Sequence, residues 1–144
     1  MGPMAPNAAL APLNILVGEW EVDSPQFPGP KGHARIEWLE EGGYLMLRDS
    51  VPDPGPSGTW IIGVDDDDLV LTVLHHDVRG VSRVYQMTFD AAGSWRVWRE
   101  APGFHQRYHA VVQPDGKLIQ GTWEKSEDGV EWEHDFDLIY TRLT

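Results

Sequence analysis

The two ends of this chain constrain its fold more than anything between them. Gly18-Glu19-Trp20 lies near the start, and Tyr140-Thr141-Arg142 lies near the finish. When an antiparallel sheet closes on itself, its first and last strands pair and both open edges disappear. A Trp on one strand and an Arg on the other then meet. A guanidinium held over an indole contributes roughly 0.5–2 kcal/mol. The pair therefore predicts a closed tube rather than an open sandwich.

The middle of the chain agrees. Turn chemistry recurs every ten to fifteen residues, at Glu41-Gly42-Gly43, Asp90-Ala91-Ala92-Gly93, Pro114-Asp115-Gly116 and Glu127-Asp128-Gly129. Each supplies a Gly where φ can turn positive. Between the turns lie ten candidate strands, near 15–24, 31–40, 43–51, 58–65, 68–76, 80–90, 93–100, 103–112, 117–126 and 129–143. The predicted fold is all-β, a closed antiparallel up-and-down barrel of about ten strands. Pro12-Leu13-Asn14-Ile15-Leu16 reads as a short helical turn with Pro at its first position, placed to plug one end. The expected division is a flexible segment over 1–12 and a single barrel domain over 13–144, with mobility expected up to about Asn7. Ser24 to Pro30 and Pro52 to Ser57 are loops, because Pro cannot serve a central ladder, and they are placed to lie over an open mouth. Asp65 to Asp68 reads as a solvated hairpin tip, since a calcium loop needs alternating ligands and a central Gly.

Side chains alternate across a strand, so each strand can be phased. On the last, Trp132, His134, Phe136, Leu138, Tyr140 and Arg142 share one face, while Glu131, Glu133, Asp135 and Asp137 share the other. The carboxylates face water, which turns the first set inward. Ala34, Ile36 and Trp38 are expected inside, as are Ile119, Gly121 and Trp123. Val81, Arg83, Tyr85, Met87 and Phe89 form the bulkier, inward face of their strand. Phe104, Gln106, Tyr108 and Ala110 form the inward face of theirs. Trp95 and Trp98 have opposite parity, so only one can be inside.

Composition excludes several classes. Eleven basic against 23 acidic residues give a net charge of −12. That disfavours nucleic acid, whose phosphates need a basic face, and anionic membranes. No apolar run approaches the ~18 residues of a membrane helix, and residues 1–12 lack the basic start of a signal peptide. With no cysteine, disulfides, thiolate metal sites and Cys nucleophiles are excluded, and a reducing, cytoplasmic setting is permitted.

Gly18-x-Trp20, the helical lead-in and Arg142 together resemble the calycin superfamily of lipocalins and fatty-acid-binding proteins. The strand count favours the fatty-acid-binding and nitrobindin side. Arg79-Gly80-Val81-Ser82-Arg83-Val84-Tyr85 and the ending from Trp132 to Arg142 are similar to a group of actinobacterial lipocalin-like proteins. The resemblance implies a barrel that holds a small molecule. Fatty-acid-binding proteins hold a carboxylate with interior Arg and Tyr, a part open to Arg83 and Tyr85. Nitrobindins bind haem through a His on a late strand, where His134 stands, although Trp20 is followed here by Glu21, Val22 and Asp23 in place of their Gly-rich opening.

Seven Trp and four Tyr either fill the core or line a pocket. The expected function is binding of a small, largely apolar or aromatic molecule inside the barrel. Arg83, Tyr85, His134 and Tyr140 would supply polar contacts. Trp38, Tyr108, Trp123, Trp132 and Phe136 would supply the walls. An interior Arg83 needs a partner, since an unpaired buried charge costs several kcal/mol. That partner is a ligand anion or a protein carboxylate such as Glu100 or Asp49. His134 is open to three roles: a hydrogen-bonded interior residue, an acid–base group near neutral pH, or an axial haem ligand. The alternative function is a cofactor-independent isomerase or cyclase of a bacterial natural-product pathway. Arg83, Tyr85 and His134 would be its catalytic residues. No cofactor and no metal site is expected otherwise. His75 and His76 are adjacent and point to opposite faces. His105 and His109 lie on a strand pattern, about 13 Å apart.

Overall fold

A computed structural model describes residues 8–144. Its strands are β1 (Gly18–Asp23), β2 (Gly32–Leu39), β3 (Tyr44–Ser50), β4 (Gly58–Val64), β5 (Leu71–Asp77), β6 (Ser82–Phe89), β7 (Ser94–Arg99), β8 (His105–Val112), β9 (Leu118–Ser126) and β10 (Glu133–Arg142). Each pairs antiparallel with its neighbours in sequence, and β1 pairs with β10, so the ten-stranded barrel is closed. Trp20 stands opposite Arg142 in that seam. The expectation of mobility up to Asn7 lies outside the described residues.

One end is shut by sequence-local chemistry. A 3-10 helix, Ala11–Leu16, starts with Pro at its first turn, where a missing N–H costs nothing. Leu10, Leu13 and Leu16 are fully buried, so the packed domain already includes Leu10. The Trp20 indole N–H donates to the Leu16 carbonyl at 2.9 Å, and that of Trp38 donates to Asn14 Oδ1 at 2.9 Å. Arg142 lies with its guanidinium carbon 4.1 Å from the centre of the Trp20 ring. The same guanidinium donates to the carbonyls of Ile15, Val17, Gly116 and Thr144. Gly18 is required here. Its φ is +141°, and an added Cβ would collide with the Arg142 guanidinium and lie 2.8 Å from the Thr144 carbonyl oxygen.

The predicted phases hold on most strands. Ala34, Ile36, Trp38, Tyr85, Met87, Gln106, Tyr108, Ala110, Ile119 and Trp123 are buried. Trp95 is buried, while Trp98 lies across from Arg107 on the outer face. Phe104 is the exception on its strand, 39 % exposed at the rim. Strand β10 corrects the sequence reading. Its register against β9 shifts between His134 and Phe136, with Asp135 left as the extra residue. A bulge of this kind reverses the alternation on one side of it. Phe136 still faces Trp123 inside, but His134 falls opposite Glu124 on the outer wall. His134 is therefore exposed and bonded to Asp137 at 3.0 Å. Trp132 is likewise outside, with the Arg107 guanidinium 4.0 Å from its ring centre. Among the described residues, no helix is long and apolar enough to cross a membrane.

Candidate functional site at the open end of the barrel

The end opposite the 3-10 helix carries segments 24–31 and 51–57, the two Pro-rich loops. Its inward side chains are only half-buried: Asp49, Trp60, Arg83, Phe136 and Leu138 all keep solvent contact. This is the side from which a small molecule can reach the interior.

The floor is aromatic. Trp60 on β4 and Trp123 on β9 belong to opposite walls, five strands apart around the ring, yet their centroids are 6.2 Å apart at 87°. Tyr85 packs against both, at 6.0 and 5.7 Å, and Phe136 stacks on Trp123 at 6.4 Å and 29°. Below this bar, Trp95 meets Tyr108 edge-on at 5.4 Å. Edge-to-face and offset pairs of this kind contribute about 0.5–1.5 kcal/mol each beyond burial. The middle of the barrel is thus crossed by packed aromatic rings whose upper edges are exposed.

Polar groups ring that floor. On the β5–β6 side, the Trp60 indole N–H donates to His75 Nδ1 at 2.8 Å, and His75 Nε2 meets Asp77 Oδ2 at 2.8 Å. An accepting Nδ1 places the proton on Nε2, which makes the neutral ring a donor to Asp77. Burial lowers the His75 pKa and favours that neutral form. Asp77 is fully enclosed and also accepts from Arg79 at 2.7 and 3.1 Å. Those Arg79 bonds hold its carboxyl well below the usual range. Next to it, Tyr85 donates to Gln106 Oε1 at 2.8 Å, and Arg83 donates to the same oxygen at 3.3 Å. The Arg83 guanidinium carbon is 5.4 Å from the Phe104 ring centre. On the other side of β4 from Asp77, Asp49 Oδ1 accepts from the Gly58 N–H at 2.8 Å. Burial pushes its pKa from 3.8 to about 6, with the Asp77 charge adding to the rise.

The residues expected from sequence therefore divide. Arg83, Tyr85, Trp123 and Phe136 come together at the open end. Tyr108 and Tyr140 lie deeper, on the same axis. Trp38 is interior but at the closed end, its N–H taken by Asn14. Trp132 and His134 are on the outer wall and join none of them. The catalytic trio Arg83, Tyr85 and His134 is not assembled, and His134 cannot ligate a haem held inside this barrel. Trp60, His75 and Asp77 were missed as a cluster. The signal was present: Leu71, Val73, His75 and Asp77 share one parity, and Trp60 pairs with His75 across the hairpin. His76 points outward to Ser82 at 2.7 Å, as adjacent parity requires.

Tyr108 stands apart. It is 3 % exposed, and its hydroxyl has no hydrogen-bond partner among the described residues. Burial raises its pKa well above the ordinary value, with Tyr140 adding to the effect. An unpaired buried hydroxyl costs free energy, so Tyr108→Phe is expected to raise the stability of the ligand-free protein by about 1 kcal/mol. A urea titration reads this as a higher midpoint at unchanged slope. A midpoint that falls would show the hydroxyl to be paired.

Compared with known proteins, the chain matches no family model and no curated protein. The functional reading therefore rests on the geometry of the open end.

Proposed function

We propose that this protein binds a small, largely apolar or aromatic molecule at the open end of the barrel. The ligand lies on the floor of Trp60, Tyr85, Trp123 and Phe136, and it presents a hydrogen-bond acceptor to Arg83. The state of Arg83 carries this reading. Neither Glu100 nor Asp49 pairs with it; its guanidinium donates to Gln106 and also meets the Tyr85 hydroxyl. A guanidinium has five N–H donors, so most of them remain available to a ligand. Aromatic walls with a few convergent polar groups are the usual make-up of a small-molecule pocket. Lack of cysteine suits such a binder to a reducing cytoplasm.

Binding is favoured over catalysis by the histidines. The imidazole nearest Arg83 and Tyr85 is that of His75, and both its nitrogens are engaged by Trp60 and Asp77. That imidazole is thereby committed to holding Trp60 and Asp77 in place. The test is a titration of ¹⁵N-labelled protein with 2-naphthoate, following the indole N–H resonances. Binding should shift Trp60 and Trp123, and Arg83→Met should weaken it about tenfold at unchanged melting temperature. Shifts confined to Trp98 and Trp132, on the outer wall, would end this reading.

A further inference from the structure

We infer that the barrel holds a deeper contact point, at which the Tyr108 hydroxyl donates to an uncharged carbonyl oxygen of a ligand that enters past Asp49 and Leu138. This rests on the reading of the open end as a binding site and specifies the chemistry of the ligand's buried end.

The Trp60–Trp123 bar divides the mouth into unequal halves. On the β5–β8 side, Tyr85 and His75 fill the space beside the bar. On the β10–β1–β2–β3 side, the inward residues toward the mouth are Val22, Gly32, Ala34, Asp49, Phe136 and Leu138. Two of these are small, and Asp49 and Leu138 remain half-buried. Segment 24–31 stands beside this half: Phe27 meets Phe136 edge-on at 6.2 Å, and Gln26 bonds Asp137 at 3.0 Å.

Tyr108 reaches this half from the far wall. It starts on β8, and the end of its ring crosses Gly121 of β9. A Cβ there would sit 2.5 Å from the ring carbons Cε1 and Cζ and would collide with the hydroxyl. Glycine is thus what lets the phenol pass over β9. The register partner of Gly121 on β10 is Leu138, so the hydroxyl is delivered toward the half-buried side. There it is enclosed and unpartnered, a condition that buried polar groups rarely tolerate.

The ligand oxygen must be uncharged. Inward side chains of β1, β2, β3 and β10 between Trp20 and the mouth include no cation, and the Asp49 carboxylate is close enough to act on Tyr140. Burial keeps both Tyr108 and Tyr140 protonated, and so neutral donors. A carboxylate placed here would be buried without a counter-charge. A ketone or ester carbonyl satisfies the hydroxyl at no such cost.

The test compares 2-acetylnaphthalene with 2-ethylnaphthalene, which has the same shape without the oxygen, by the same indole and amide titration. The unmodified protein should bind the ketone about tenfold more tightly, since only the ketone pairs the hydroxyl. Tyr108→Phe should reduce that preference to about twofold or less and leave 2-ethylnaphthalene unchanged. Equal affinities in the unmodified protein, or a preference that survives Tyr108→Phe, would overturn the inference while leaving the open-end site standing. No binding of either compound or of 2-naphthoate would remove the open-end site as well.

Discussion

Replacing Arg142 by Met is expected to destabilise the protein by about 3 kcal/mol, roughly a 10 °C fall in melting temperature. The side chain makes charge-assisted bonds to the carbonyls of Ile15, Val17, Gly116 and Thr144 and covers the ring of Trp20. These carbonyls belong to the plug helix, the start of β1, the β8–β9 turn and the C-terminus. One planar fork therefore ties together four segments that meet at this end. Met keeps the aliphatic stem and loses the donors, leaving several carbonyls unpaired. Arg142→Lys retains the charge but cannot span four acceptors, so it should recover less than half of the loss. Thermal unfolding followed by circular dichroism measures both. If Met and Arg proved equal within the error of the melt, the closure would be held by the strand pairing alone.

The second large effect is on pH dependence. Asp49→Asn is expected to stabilise the protein at pH 7.5 by up to about 3 kcal/mol, and to change little at pH 4. In the fold the Asp49 pKa rises from 3.8 to about 6, first because the group is buried and then because Asp77 is near. Between those values the folded state binds more protons than the unfolded one. Its contribution to stability is thus greatest below about pH 4 and is lost as the pH rises through about 6. Asn is neutral throughout and still accepts from the Gly58 N–H. Two neighbours act in the opposite sense. His75, lowered by burial, adds stability as the pH rises toward its ordinary value. Asp77, lowered by Arg79, loses stability only on acidification. Both are shared by the two proteins, so the difference between their urea midpoints isolates Asp49. A difference that stays constant from pH 4.5 to 7.5 would show that Asp49 does not titrate in this range.

Much of the architecture is legible in the sequence. Strand number and order followed from the turn residues, and the inward faces of β2, β6, β8 and β9 followed from period-two alternation. The meeting of Trp20 with Arg142 followed from closure. The chain also marks which glycines matter: Gly18 precedes Trp20 by two residues because the guanidinium that covers Trp20 also occupies the place of a Cβ. The site was read less completely. Parity placed Arg83, Tyr85, Trp123 and Phe136 on inward faces, and Gln106 was phased correctly without being recognised as the acceptor that binds Arg83 to Tyr85.

What the sequence determined by itself is the inward face of each regular strand, because alternation is a property of one strand and is written residue by residue. What only the tertiary structure decided is where those faces meet. The bulge at Asp135 sends His134 and Trp132 outward although the local pattern of carboxylates continues unbroken on both sides. Trp60 touches Trp123 because barrel closure sets two distant strands opposite each other at one height. The orphaned hydroxyl of Tyr108 exists because a glycine on the next strand lets the ring cross it. Register, bulges and closure are relations between strands far apart in the chain, and their energies lie in contacts that no local pattern encodes.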